Sequence, residues 1–147
     1  QARNAFIYGV RGSDMRYGGS GNDLLPGGSE DDLLSGGAGR DLLRGGSGRD
    51  ILSGGADVDI LFGGQGRDIF AYSDASEFGD VIQDFEIVRD RIDLTAVLDG
   101  DISFGGNVTA QQVGNHTSIL VDTGAGTEQA ALLLNVNANT LDDNNFV

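Results

Sequence analysis

A nine-residue period runs without a break from Gly9 to Ala71 and limits what the chain can become. Each unit opens on a glycine pair, places a third glycine fourth and an aspartate sixth, and closes on apolar residues. Four of the seven copies fit throughout: GGSGNDLLP (18–26), GGAGRDLLR (36–44), GGSGRDILS (45–53) and GGQGRDIFA (63–71). Two copies depart only at the fourth position, where Glu30 and Asp57 stand for glycine, and the copy at 9–17, GVRGSDMRY, is the most altered. A unit this short holds one tight turn and one strand of about three residues, too little to bury a face alone, so the copies must stack on one another. A flexible glycine-rich linker would not hold aspartate and leucine in phase.

The unit has a chemical logic. Glycine accepts positive φ without steric cost, so a Gly-Gly-x-Gly loop can curl carbonyl oxygens inward. The aspartate adds a hard anionic oxygen to them. Carbonyls with carboxylates suit Ca²⁺, which takes six to eight oxygens in irregular geometry, better than Mg²⁺, which demands an octahedron and keeps its waters. Zinc and softer metals find few ligands, since the chain has no cysteine and one histidine, His116.

The unit resembles the RTX (repeats-in-toxin) nonapeptide, and the resemblance covers about half the chain tightly. It implies an all-β fold, a right-handed parallel β-roll in which two repeats make one turn and each Ca²⁺ sits between a repeat and the next but one. The carboxylate position would be held by Asp14, Asp23, Asp32, Asp41, Asp50, Asp59 and Asp68. Backbone carbonyls would come from the second and fourth positions: Gly19, Gly21, Gly28, Gly37, Gly39, Gly46, Gly48, Gly55, Gly64 and Gly66. Odd repeats (Asp14, Asp32, Asp50, Asp68) would line one edge and even repeats (Asp23, Asp41, Asp59) the other. Pairing neighbours gives three sites plus two, about five Ca²⁺ ions in this family pattern. Glu30 and Asp57 weaken that count, because a side chain at a left-handed position is costly, less so for aspartate.

Position eight, reading Arg16, Leu25, Leu34, Leu43, Leu52, Leu61 and Phe70, is predicted to face inward between two sheets. Each buried leucine contributes about 1.5–3 kcal/mol. Arg16 there marks a frayed first turn or an open end. By alternation, position seven (Met15, Leu24, Leu33, Leu42, Ile51, Ile60, Ile69) faces out. Those stripes are either ordinary β-propensity on a surface or a face covered by another domain or copy.

The domain reading is a calcium-binding β-roll over 1–71 and a β-rich C-terminal cap over 72–147. The segment FGDVIQDFEIVRDRIDLTAV (78–97) resembles the stretch directly after the repeats in type I-secreted proteins. Asp80 and Asp84 there either close the last calcium site or are surface acids beside Val81, Ile82 and Phe85. Further strands are predicted at 102–104, 108–113, 117–122 and 129–135, with glycine turns between them, as antiparallel structure on the roll's C-terminal end. The closing LDDNNFV resembles the uncleaved signal of the ABC-transporter (type I) pathway; the plainer reading is a last edge strand.

Net charge is −14, with 23 acidic residues against nine basic ones, all arginine. About ten positive charges from bound calcium would remove most of that imbalance, and without it the facing aspartates repel. Such a chain would be unfolded at cytosolic calcium and fold outside the cell, which predicts a secreted, extracellular bacterial protein, with cell-surface association open. Nucleic acid is disfavoured by the charge, and no apolar stretch is long enough for a membrane span. Gln1 is not a natural start, so the sequence reads as a piece of a larger protein. No His-Glu-x-x-His or Gly-x-Ser-x-Gly motif and no cysteine nucleophile is present, so no enzyme chemistry is predicted for the chain itself.

Three functions remain open. The chain is a module for export and calcium-triggered folding of a larger protein, of which epimerases, proteases, lipases and adhesins are the family's examples. The run through DVIQDF to DRIDLTAV resembles the R-modules of alginate (mannuronan) C5-epimerases, whereas TSILVDTGAGTEQAALLLNV resembles an adhesin tail. Alternatively it binds an anionic polysaccharide through Arg40, Arg44, Arg49 and Arg67, whose blander role is charge balance beside the aspartates. Or it self-associates through roll ends and the Leu24, Leu42 and Ile60 stripe.

Overall fold

A computed structural model describes residues 3–8 and 11–147; the opening Gly9 and Val10 of the first repeat lie outside the described residues. The nonapeptides fold as seven short strands: β1 (Met15–Ser20), β2 (Leu24–Ser29), β3 (Leu33–Ala38), β4 (Leu42–Gly48), β5 (Ile51–Ala56), β6 (Ile60–Gly66) and β7 (Ile69–Ala71). Odd strands pair only with odd strands and even with even, all in parallel, which is the expected β-roll. The register is one full coil, so Leu25 lies on Leu43 and Leu43 on Leu61.

Alternation along each strand sends position eight inward. Leu25, Leu34, Leu43, Leu52 and Phe70 are fully buried and Leu61 almost so, a single layer of side chains between the two sheets. Position seven faces out, with Met15 82 % exposed and Leu33, Ile51 and Ile60 also exposed. Arg16 ends the inward ladder without fraying. It is buried, donates from Nη1 to the Pro26 and Ile7 carbonyls, and holds Asp14 Oδ2 at 2.6 Å from Nη2. The guanidinium thus serves as a polar plug for the first coil.

The parallel coil continues past Ala71, where the glycine period stops. Strand β8 (Asp80–Ile82) pairs with β6, and β9 (Arg91–Asp93) pairs with β7. An aspartate, an outward residue and an inward isoleucine suffice to add a coil, as in Asp80-Val81-Ile82 and Asp90-Arg91-Ile92, even without glycine pairs. Beyond them come β10 (Val108–Val113), β11 (His116–Asp122) and β12 (Thr127–Leu133), an antiparallel meander. It does not sit on the roll as a separate layer. Strand β12 pairs in parallel with β8, giving one seven-stranded sheet in the order β10-β11-β12-β8-β6-β4-β2, opposite the five-stranded β1-β3-β5-β7-β9.

The predicted strand at 102–104 reduces to a single bridge between Phe104 and Val108. The Ser103 carbonyl there is taken by the turn N–H groups of Gly106 and Val108. The last residues close the five-stranded sheet. Phe146 bridges to Ile92, the Val147 N–H donates to the Ile92 carbonyl at 3.0 Å, and Phe146 stacks on Phe104 with ring centroids 5.3 Å apart. Among the described residues no helix is long and apolar enough to cross a membrane.

Candidate metal centre

The candidate site is a ladder built twice, once on each edge where the chain crosses between sheets. Each repeat aspartate from Asp23 onward turns one carboxylate oxygen along the coil axis. Asp41 Oδ1 accepts the Asp23 N–H at 2.7 Å, and Asp59 Oδ1 accepts the Asp41 N–H at 2.7 Å. On the other edge Asp32 Oδ1 accepts from Asp14, Asp50 Oδ1 from Asp32, and Asp68 Oδ1 from Asp50, at 2.8–3.0 Å. Every one of these bonds spans 18 residues, one turn of the roll.

The second oxygen is the informative one. Oδ2 of Asp23, Asp32, Asp41, Asp50, Asp59, Asp68 and Asp80 is buried with no hydrogen-bond partner. A buried polar atom left unpaired costs about 1–3 kcal/mol, more when charged. A row of them is intolerable unless something positive stands against it. Burial is the main force raising these acids: Asp50 is pushed up to about 6, Asp59 to about 7 and Asp80 to about 8, each further raised by neighbouring carboxylates. Asp41 and Asp68 rise for the same first reason.

Among the described residues no group of three or more Asp, Glu, His or Cys side chains is gathered tightly enough to hold a metal by side chains alone. Any ion here would take part of its shell from backbone carbonyls. The loops are shaped for that. The second and fourth glycines have positive φ throughout, from 96° at Gly64 to 144° at Gly66. Glu30 and Asp57 adopt the same left-handed turn at φ 77° and 80°. A Cβ at Gly37, Gly46 or Gly55 would strike the carbonyl of the glycine one coil earlier. Hard carboxylate and carbonyl oxygens fit Ca²⁺.

The first glycine of each unit has a separate duty that spacing did not show. A Cβ at Gly27 or Gly63 would fall within 3.0 Å of the Oδ2 of that repeat's own aspartate, Asp32 or Asp68. That glycine leaves the space into which the carboxylate folds.

The ladders end differently. Asp14 is not an unpartnered acid like the others, because Arg16 holds it. At the far end Asp80 continues the even ladder, its Oδ1 accepting the Asp59 N–H at 2.9 Å across 21 residues. Asp84 instead binds the loop backbone, accepting from Gly63 and Gly64 at 2.8 and 3.0 Å. Asp90, which the repeat motif does not mark, terminates the odd ladder: Oδ1 accepts from Asp68 and Oδ2 from Glu86. Its signal in the sequence is the Asp-x-Ile triplet shared with Asp80.

The four arginines Arg40, Arg44, Arg49 and Arg67 do not form one strip. Arg49 and Arg67 line the same edge, joined by Arg89. Arg40 lies on the opposite edge beside Asp23 and Asp41, and Arg44 lies over the Phe62 ring at 4.8 Å.

The sequence model of the RTX calcium-binding nonapeptide repeat (4 copies) matches residues 8–43, 17–52 and 35–70. The structure is similar to the solution structure of the AlgE6R3 subunit from the Azotobacter vinelandii mannuronan C5-epimerase. The TM-score is 0.70 at 31 % identity, over 94 % of this chain and 81 % of that one. It is also similar to the AlgE6R2 subunit of the same epimerase, with TM-score 0.64 at 28 % identity, over 94 % of this chain and 91 % of that one. No curated protein matches the sequence.

Proposed function

This chain belongs to the RTX calcium-binding nonapeptide-repeat family, related to the R-modules of an epimerase, and from that premise we propose that it is a calcium-triggered folding module of a larger secreted protein. The observation that carries the reading is the run of buried, unpartnered Oδ2 atoms stacked at one-coil spacing. Bound Ca²⁺ would supply the positive charge those oxygens lack.

Counting adjacent pairs in which both acids keep an unpartnered Oδ2 gives Asp23–Asp41, Asp41–Asp59 and Asp59–Asp80 on one edge, and Asp32–Asp50 and Asp50–Asp68 on the other. The proposed total stays at about five ions, but shared differently between the edges, because Arg16 occupies Asp14 and Asp80 adds a pair. Ligand binding that requires the fold stabilises it by about 2.7 kcal/mol per site at a hundredfold excess over Kd, and the sites together exceed the stability of a small domain.

At cytosolic calcium the carboxylates would face one another uncompensated, with net charge −14 opposing compaction. That property suits passage through an ABC-type exporter in an unfolded state and folding in the calcium of the outside. The module's role is then accessory to whatever its parent protein does. Far-ultraviolet circular dichroism tests the core of this: the calcium-loaded chain shows strand signal of which chelation removes the share contributed by the repeats. An unchanged spectrum after exhaustive chelation would end the reading.

A second reading, anionic polysaccharide binding, has its own support. Exposed Arg49, Arg67 and Arg89 lie along one edge, and of these three only Arg89 has an ion-pair partner among the described residues, Glu86. Coils are about 4.8 Å apart, so guanidiniums repeat at a spacing that matches a linear polyanion better than a point ligand. The similarity to subunits of a mannuronan C5-epimerase points the same way. Calorimetry with mannuronan oligosaccharides in calcium buffer tests it; heat that is lost in an Arg49→Ala, Arg67→Ala double variant supports it, and no heat removes it.

A further inference from the structure

The coil that ends the nonapeptide period has lost its glycine loop. Between β7 and β8 the chain runs Tyr72 to Gly79, containing a 3₁₀ turn at Ala75–Glu77 and a single glycine, Gly79, at positive φ. No Gly-Gly-x-Gly curls carbonyls toward Asp80, yet Asp80 and Asp59 both keep a buried, unpartnered Oδ2. This pair has the repeat's acids and lacks half of its carbonyls.

One other buried side-chain atom shares their condition. The Tyr72 hydroxyl is the sole unpartnered buried side-chain group among the described residues that is not a repeat-type aspartate oxygen. Tyr72 is 4 % exposed, its ring fixed edge-on against Phe78 at 5.5 Å and its N–H bonded to the Asp93 carbonyl at 3.1 Å. The phenol therefore has a set position, with its hydroxyl turned toward the Asp80 carboxylate, just short of a well-formed hydrogen bond, and Asp59 the next carboxylate acting on it.

Proton counting shows what is missing. A hydroxyl has one proton to donate and lone pairs to offer. It can serve one of the two Oδ2 atoms, not both, and its own lone pairs then remain unmet. Three buried oxygens whose groups act on one another, with a single proton among them, match the demand of a hard cation that binds oxygen in irregular geometry. We propose that a calcium ion between Asp59 and Asp80 is closed off by the Tyr72 hydroxyl, which takes the place of the glycine-loop carbonyls and makes this a terminal site unlike those within the repeats. The inference rests on the reading of the repeats as calcium sites.

Tyrosine sensitises terbium emission at short range, and the chain is suited to the experiment. It has three tyrosines and no tryptophan; Tyr8 and Tyr17, 73 % and 66 % exposed at the opposite end of the roll, the latter beside the Gly19 loop, are removed in a Tyr8→Phe, Tyr17→Phe background so that Tyr72 is the sensitiser that remains. The test is a terbium titration of the full chain under tyrosine excitation, with calcium counted by native mass spectrometry. Tyr72→Phe keeps the ring and is expected to lose most of the sensitised emission and one bound calcium ion, with the calcium-induced circular dichroism otherwise retained. An unchanged calcium count, or full emission after the substitution, overturns the proposal.

Should Tyr72→Phe fail to fold, Asp80→Asn decides. It should lose the same ion and the same emission with Tyr72 in place, and emission that persists in it overturns the proposal. Failure of the wider reading looks different, as a wild-type chain whose spectrum ignores calcium.

Discussion

The roll and the meander beyond it share a sheet but are held together by different forces. In the roll, strands such as β3 and β5 bury one leucine each, Leu34 and Leu52, and every turn carries a buried acid with an unmet oxygen. In the meander, β11 alone buries Ile119 and Val121, with Val108, Ala130, Ala131 and Leu133 beside them, and none of its buried side-chain polar atoms is unpartnered. The first region is nearly all perimeter. Its apolar layer is one side chain thick, and its stability depends on what neutralises the edges. The second is an ordinary apolar core that happens to continue the same hydrogen-bonded ladder through β12 and β8. Pairing alone therefore does not make a sheet one energetic unit.

Chelation is the strongest way to break that contrast. Hydrogen exchange of the calcium-free chain should show protection lost across β2 to β6 and retained most in β11 and β12. Uniform loss would mean that the meander depends on the roll for its fold. Core truncation comes next. Leu43→Ala and Ile119→Ala should each cost about 2–5 kcal/mol in excess calcium, since both side chains are fully buried. In chelator only the Ile119→Ala effect should survive in denaturant unfolding, because the roll has no fold left to lose.

Acidity gives a smaller and two-signed effect. Asp59 and Asp80 rise from 3.8 to about 7 and about 8 in the metal-free fold, so the folded chain holds protons that the unfolded chain has released. Their contribution is fully present below their unfolded pKa and is lost as pH climbs through that window. Metal-free protein should thus gain strand signal as pH falls from about 8 to about 5, the interval over which Asp59 and Asp80 take up protons. With calcium present the same protons compete for the ligands, and the calcium midpoint should move upward over that range. The meander, with no such acids, should be indifferent. The smallest effect is expected at Glu30, whose φ of 77° suits glycine. Glu30→Gly should raise thermal stability by up to about 1 kcal/mol, the relief of a left-handed side chain less the entropy glycine loses on folding. No gain would show that the loop accommodates the side chain without strain.

Much of the roll was legible because each residue's neighbour is set by period. The period aligned the leucines and the aspartates, and the family resemblance, which implies two repeats per turn, set Leu43 on Leu25 and Asp41 on Asp23. Asp80 could be read from its motif. Asp90 carries the same Asp-x-Ile triplet, but its place in the odd ladder was hidden because the glycine spacing stops at Gly66 and the 18-residue offset becomes 21 at Asp80 and 22 at Asp90, and nothing in the spacing pointed to Tyr72. The arginines show the limit from the other side. Arg44 and Arg49 are five residues apart, yet one lies on a sheet face over Phe62 and the other on an edge.

The sequence by itself determined the periodic part: parallel strands, an inward leucine layer, two rows of acids and the oxygen chemistry between coils, because a strict repeat makes long-range contacts a consequence of local spacing. Tertiary structure decided the ends. Arg16 plugs the first coil, β12 and the last residues occupy the sheet edges that a further coil would fill, and Tyr72 approaches Asp80 across a loop of irregular length. Where the period stops, contacts depend on how unlike segments meet in space, and spacing no longer dictates the partner.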